Sequence, residues 1–244
     1  MFWKALHSEW FKFRKSGMLP ILLVSPLVGL MIGLMTNLSQ IEAGVNSWYL
    51  LLQFMILPYA LLFLPLMTGV LAGIICRYEH QAGGWKQFLS LPVTRGNVFV
   101  AKYVLLMAAV LVMQLLFLAA VFFAGQMKGI SDPFPIMIIW KSIFGGWVAT
   151  MPLVALQLTL SILWKSFAAP FAVNVIFTLP SILAVNSETY GPYYPWGQPF
   201  LMMYAGGAQE SVFFVPWEQV LTVVGGSLVI FFAAGWIYFQ RKAV

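Results

Sequence analysis

Few side chains in this 244-residue sequence could carry out chemistry: there are seven acidic residues, two histidines and one cysteine. Glu79 and His80 are adjacent, and a carboxylate beside an imidazole is a minimal unit for moving a proton. With no third group at a fitting spacing, a solvated surface pair is the plainer reading. His7 has no metal-ligand partner, and neither an H-E-x-x-H pair nor a paired acidic motif occurs inside an apolar run. An intramembrane metalloprotease is therefore not expected. Gly83-Gly84-Trp85-Lys86 lacks the spacing and the following hydroxyl of a phosphate-cradling loop, G-x-x-x-x-G-K-[ST]. Cys76, alone at the end of an apolar run, reads as a small core residue. The sequence predicts no catalytic residue, no metal site and no cofactor of its own.

The elements that would have to position any site are membrane elements. The chain is 61% hydrophobic and 8% charged, with mean hydropathy +0.90, whereas a soluble domain carries roughly 25% charged residues. Crossing the hydrocarbon core takes about 20 apolar residues. Six runs qualify, 18–38, 48–76, 98–124, 136–163, 167–185 and 219–239, so the expected fold class is all-α integral membrane with six transmembrane helices. Pro58 and Pro65 could kink the second run and Pro152 the fourth. No cleavable signal sequence is expected, because Lys4, Lys12, Arg14 and Lys15 are scattered among aromatics with no small-residue site after them. Placing both termini in the cytoplasm puts eleven of the thirteen Lys and Arg residues inside and only Lys128 and Lys141 outside. The positive-inside rule then fixes the orientation in a bacterial plasma membrane. The net charge of +6 reads as a topology signal, and no nucleic-acid partner is implied.

Three segments between or before the runs have their own character. In residues 1–17, Phe2, Trp3, Leu6, Trp10 and Phe13 share a helical face, with Lys4, Ser8, Lys12 and Lys15 largely opposite, as in a helix lying in the interface against membrane lipid. Residues 186–218 interleave prolines and glycines with Tyr190, Tyr193, Tyr194, Trp196, Phe200 and Tyr204. The prolines and glycines argue against one regular helix and the aromatics against a disordered linker, so an extracellular cap dipping into the membrane is expected. Within the runs the polar residues are neutral: Gln53, Gln114, Gln157, Thr159 and Asn174 suit bonds between helices. Lys141 is shallow enough to snorkel outward. No carboxylate lies mid-span to drive ion-coupled transport, so any energy must come from a partner.

The polar island Glu79 to Lys102 is too wet to span and too apolar for an idle loop. Trp85, Phe88, Leu89 and Leu91 recur at near-helical spacing, and Pro92 would end such a helix. Its order is Glu79, a glycine pair, an apolar face closing in Leu89-Ser90-Leu91-Pro92, then Val93-Thr94-Arg95 and Lys102. That resembles the first cytoplasmic loop of ABC-2 type permeases, the membrane halves of ATP-binding cassette exporters. The size and the Trp-Lys-x-x-x-x-Leu-Pro spacing resemble the small lantibiotic-immunity and bacitracin-type permeases. The resemblance covers about 25 residues as motif and the whole chain as topology.

It implies that 79–92 is a coupling helix, docking on a separate ATP-binding subunit through Glu79, Trp85, Lys86, Phe88, Leu89, Pro92 and Arg95. Glu79 would pair with Arg77, Arg95 or a partner residue. ATP and magnesium would sit in that partner, and a second six-span permease, identical or paralogous, would complete the pore. The implied function is export of antimicrobial peptide or other amphiphilic cargo, hence immunity or antibiotic resistance. The alternative is a non-transporting immunity or assembly factor that sequesters peptide. A lipid-modifying enzyme would need clustered Asp, Glu, His or Arg near one leaflet, which the sequence does not offer.

Overall fold

The computed structural model describes residues 2–38, 46–80, 94–207 and 217–242, and all regular structure within them is helical. The helices are α1 (Phe2–Lys15), α2 (Val24–Met35, entered through a 3-10 turn at Leu19–Leu23), α3 (Ser47–Pro58), α4 (Leu64–His80), α5 (Arg95–Met127), α6 (Ile136–Ala149), α7 (Met151–Leu163), α8 (Ala168–Thr178), α9 (Ser181–Ala184), α10 (Gln198–Gly207) and α11 (Trp217–Arg241). α3 continues into α4 through a π-helical stretch, Tyr59–Phe63.

Against the six apolar runs of the sequence, four helices of the described residues are long and apolar enough to cross a membrane: Ser47–Arg77, Arg95–Met127, Ile136–Leu163 and Glu218–Arg241. A fifth is reached only by joining α1 to Leu19–Met35, which meet at 81°. Gly17, at φ +72°, supplies the left-handed residue that ends α1 and turns the chain. The run 167–185 is broken: α8 stops at Thr178, Pro180 follows, and only four helical residues remain in α9. Ala168–Ala184 is therefore a shorter apolar element, about 26 Å if it were straight, against roughly 30 Å of hydrocarbon.

The breaks are satisfied locally, as membrane burial demands. Pro65 has no N–H to offer the carbonyl of Leu61, and the Ser181 hydroxyl, which bonds Thr178 O at 2.6 Å, also reaches that oxygen at 3.3 Å. One turn further on, Pro65 O and Leu66 O accept from Asn174 Nδ2 at 3.0 and 3.2 Å. Asn174 Oδ1 in turn accepts from Gln157 Nε2 at 2.7 Å and from Trp196 Nε1 at 2.8 Å. One fully buried side chain thus ties α4, α7, α8 and the segment before α10. Gly69 makes room for it, since a Cβ there would sit 2.1 Å from Asn174 Nδ2.

The segment expected as an irregular cap contains a regular helix after all. Pro192 and Pro195 precede α10 and Pro199 falls in its first turn, where a missing N–H costs nothing, and α10 packs chiefly on α6. Phe200, Leu201, Met202 and Met203 are buried, and Ser142 Oγ donates to Met203 O at 2.7 Å. Of the aromatics expected in the cap, Tyr190 and Tyr193 are exposed. Tyr194 is half-buried and donates to Phe177 O at 2.5 Å, and Trp196 is buried on Asn174.

A second clasp lies where the start of α3 meets the segment between α5 and α6. Ser47 donates through N and Oγ to Asp132 Oδ2, at 2.8 and 2.6 Å. These two bonds hold the Asp132 carboxyl below its ordinary range. Trp48 Nε1 donates to Asp132 O at 3.0 Å, and its ring meets Phe134 edge-on at 4.8 Å. Gly125 lies under that ring, where a Cβ would approach within 2.1 Å. Gly125→Val is expected to cost about 1–3 kcal/mol by overpacking, read from thermal unfolding of the detergent-solubilised protein. Gly129→Ala, at φ +65° with nothing within 4 Å, separates backbone strain from the crowding effect.

Candidate coupling site

At the opposite end α1, α4 and α5 converge on a cluster of charged side chains. α1 turns a stripe of Ala5, Glu9 and Phe13 into the bundle, each four residues from the next. Trp3 is 77% and Trp10 45% exposed, and only Phe13 of that trio is buried. Trp3 and Trp10 remain available to lipid headgroups, while small Ala5 lets α1 approach α5 closely, so the buried face carries a carboxylate.

Glu9 is met by two residues far away in the chain. Lys102, the eighth residue of α5 and fully buried, donates to Glu9 Oε2 at 2.7 Å, to Glu79 Oε1 at 2.9 Å and to Ile75 O at 3.3 Å. Lys12 donates to Glu9 Oε1 and to Glu79 Oε1, both at 2.7 Å. Two carboxylates and two ammoniums thus balance in a site from which water is largely removed. Desolvation makes such a cluster a weak source of net stability, but removing one partner strands the rest. Burial by itself would raise the Glu79 carboxyl; the ammoniums of Lys102 and Lys12 outweigh it and hold the group below its ordinary range. Glu79 Oε2 has no hydrogen-bond partner among the described residues.

The pairing expected for Glu79, with Arg77 or Arg95, is therefore overturned. Arg77 is exposed. Arg95 instead donates to Gln240 O at 3.1 Å and Lys242 O at 2.5 Å, capping the end of α11. Lys242 Nζ reaches Ile162 O and His80 Nε2 donates to Ser161 O at 2.8 Å, so basic groups also cover the last carbonyls of α7. The Glu79–His80 pair of the sequence is split between these two roles, and burial lowers the His80 imidazole, leaving it neutral at pH 7. Thr94 caps α5 by accepting from Asn97 N at 3.4 Å. Among the described residues no group of three His, Cys, Asp or Glu could hold a metal. Trp85, Lys86, Phe88, Leu89 and Pro92, the remaining docking residues, lie outside the described residues.

Both flanks of segment 81–93 are anchored in this way: α4 through Glu79 and α5 through Lys102, each to α1. The sequence profile of the ABC-2 family transporter protein matches residues 5–181. The chain belongs to the ABC-2 transporter family. It is similar to the bacitracin transport permease protein BCRB of Bacillus licheniformis, at 27% identity over 74% of this chain and 88% of that protein. As an ABC-2 permease subunit it is a multi-pass protein of the cell membrane. The matched region contains Glu9, Lys12, Glu79, Lys102, Gln157 and Asn174, and ends before Trp196 and α10.

Proposed function

We propose that this chain is the membrane half of an ATP-driven exporter, in which segment 81–93 docks on a separate ATP-binding subunit that holds the ATP and magnesium. The observation that carries the reading is the Glu9–Lys12–Glu79–Lys102 cluster. Because it joins the helices on either side of the docking segment to α1, a push on that segment moves α1, α4 and α5 as one body. Two such permeases, identical or paralogous, enclose the path. Each contributes six crossings, with Leu19–Met35 and the broken Ala168–Ala184 as the short ones, and the charge asymmetry sets both termini in the cytoplasm. The cargo is an antimicrobial peptide or similar amphiphile, which suits a bundle with few ionisable groups, and the similarity to a bacitracin transport permease supports it. The physiological role is then self-immunity or resistance.

Substituting Trp85 or Phe88 by aspartate places a charge on the apolar docking knob. Each variant should lose the ATP-binding subunit from affinity-purified membranes while the chain itself still inserts and purifies in normal yield. Retention of that subunit by both variants would show that the island does not dock. ATP-dependent export measured with a hydrolysis-dead partner separates a transporter from a factor that only sequesters peptide.

A further inference from the structure

The second cation left at the Asp132 end, Lys141, has an unusual setting. It lies five residues into α6, about 7.5 Å along the axis from the helix start, within a helix apolar enough to cross a membrane. It is exposed and makes no hydrogen bond or ion pair with any described residue. Its side chain lines a cleft of about 290 Å³ between α6, α10 and α11. The other walls are apolar, chiefly Trp140, Phe144, Val148, Met202 and Leu221. Trp140 and Phe144 stack at 5.1 Å and 22°, giving one flat wall. On the other side the cleft adjoins α11, whose outer residues Val229 and Ile230 are 68% and 65% exposed, as expected of a face turned to lipid.

We propose that this cleft holds one anionic phospholipid, its phosphate on Lys141 Nζ and part of an acyl chain between α6 and α11. The chemistry of the walls selects the occupant. A peptide would bring backbone N–H and C=O groups, and among the described residues the cleft offers a single polar side chain to meet them, so burying them there is costly. A hydrocarbon chain has no such need, and an anionic headgroup supplies the partner that an ammonium at membrane depth requires. The tryptophan at the same level is the residue type that favours the headgroup boundary. A second cleft of about 360 Å³, between α5 and α6, shares Trp140 but has no charged wall among the described residues. It serves as an internal control, because it would take acyl chains without regard to headgroup.

The test is native mass spectrometry of the full chain, with whatever subunits accompany it, released from nanodiscs of equal phosphatidylglycerol and phosphatidylcholine. The wild type should retain phosphatidylglycerol over phosphatidylcholine by about tenfold, a preference carried by one strong interaction. Lys141→Gln should bring the ratio to that of the bulk bilayer, Lys141→Arg should keep the preference, and Leu221→Trp, which fills the cleft from its lipid-facing wall, should remove the bound lipid with Lys141 intact. Equal retention of the two lipids by the wild type, or an undiminished preference in Lys141→Gln, would overturn the assignment. So would displacement of the lipid by millimolar inorganic phosphate, which would mark a simple anion site with no role for the acyl chain.

Discussion

Replacing Lys102 with methionine is expected to cost about 3–5 kcal/mol, because it leaves buried carboxylates short of a counter-charge. Glu9 and Glu79 would share only Lys12, which is itself 26% exposed. Unfolding by heat or denaturant in a mild detergent reads the loss directly. The cluster reading makes a sharper demand on the double variant. Glu9→Gln together with Lys102→Met leaves one carboxylate facing one ammonium, so it should be more stable than Lys102→Met alone, a non-additivity expected of groups acting as a unit. If the two losses simply added, the four groups would not form a unit.

The same variant changes the acid response, and the sign follows from the direction of the Glu79 shift. A carboxyl held below its ordinary range in the folded state contributes stability at neutral pH that disappears as pH falls through its folded value. In the wild type the cluster therefore survives mild acid. Without Lys102, the larger of the two charge effects opposing burial is gone, Glu79 takes up a proton at higher pH, and this protonation relieves the stranded charge, so the destabilisation by Lys102→Met should be smaller in mild acid than at neutral pH. Unfolding midpoints measured against pH for the two proteins check this.

Asn174→Leu should be the most damaging change in the other half of the molecule. It removes the common partner of Gln157 Nε2, Trp196 Nε1, Pro65 O and Leu66 O. At an average of about 0.6 kcal/mol per interhelical bond the loss is roughly 2–3 kcal/mol. Trp196→Phe forfeits one of the four while keeping the stack on Phe177 at 4.9 Å, so about 0.6 kcal/mol is expected of it. Hydrogen exchange across residues 190–204 should rise strongly in the first variant and slightly in the second. Equal effects would mean that Trp196, and not Asn174, organises this region.

The membrane class and the long apolar runs were legible because lipid burial selects composition over some 20 consecutive residues, and α5 and α11 simply overrun those limits. The prolines were also informative: Pro58 and Pro65 flank the π-helical stretch, although which hydroxyl and amide would repair the ladder was not readable. The charged cluster was illegible for a different reason. Its members stand at positions 9, 12, 79 and 102, and no local period links them. One signal did exist in α1, where the spacing of Ala5, Glu9 and Phe13 marks a narrow stripe. The stronger aromatic pattern of Trp3 and Trp10 concealed it, because an interfacial helix has two apolar environments and the sequence does not say which residues face lipid and which face protein. Lys102 had looked like one more cytoplasmic charge, and only the convergence of three helices shows it to be interior.

The positions of the four charged residues also impose an order of assembly during synthesis. Glu9 and Lys102 are 93 residues apart, Lys12 and Glu79 67, and Lys102 and Glu79 23. At about 5–20 residues per second, the ribosome takes roughly 1–5 s to go from Glu79 to Lys102. During that interval the nascent chain has only one cation for two acids, and its first two hydrophobic hairpin arms are held together by packing alone. Once α5 enters the bilayer the neutral knot closes, and everything from α6 onward is added to a finished N-terminal half. The Asn174 hub waits for Trp196, 22 residues later, so the protein is fastened first by its charged knot and only afterwards by its neutral one.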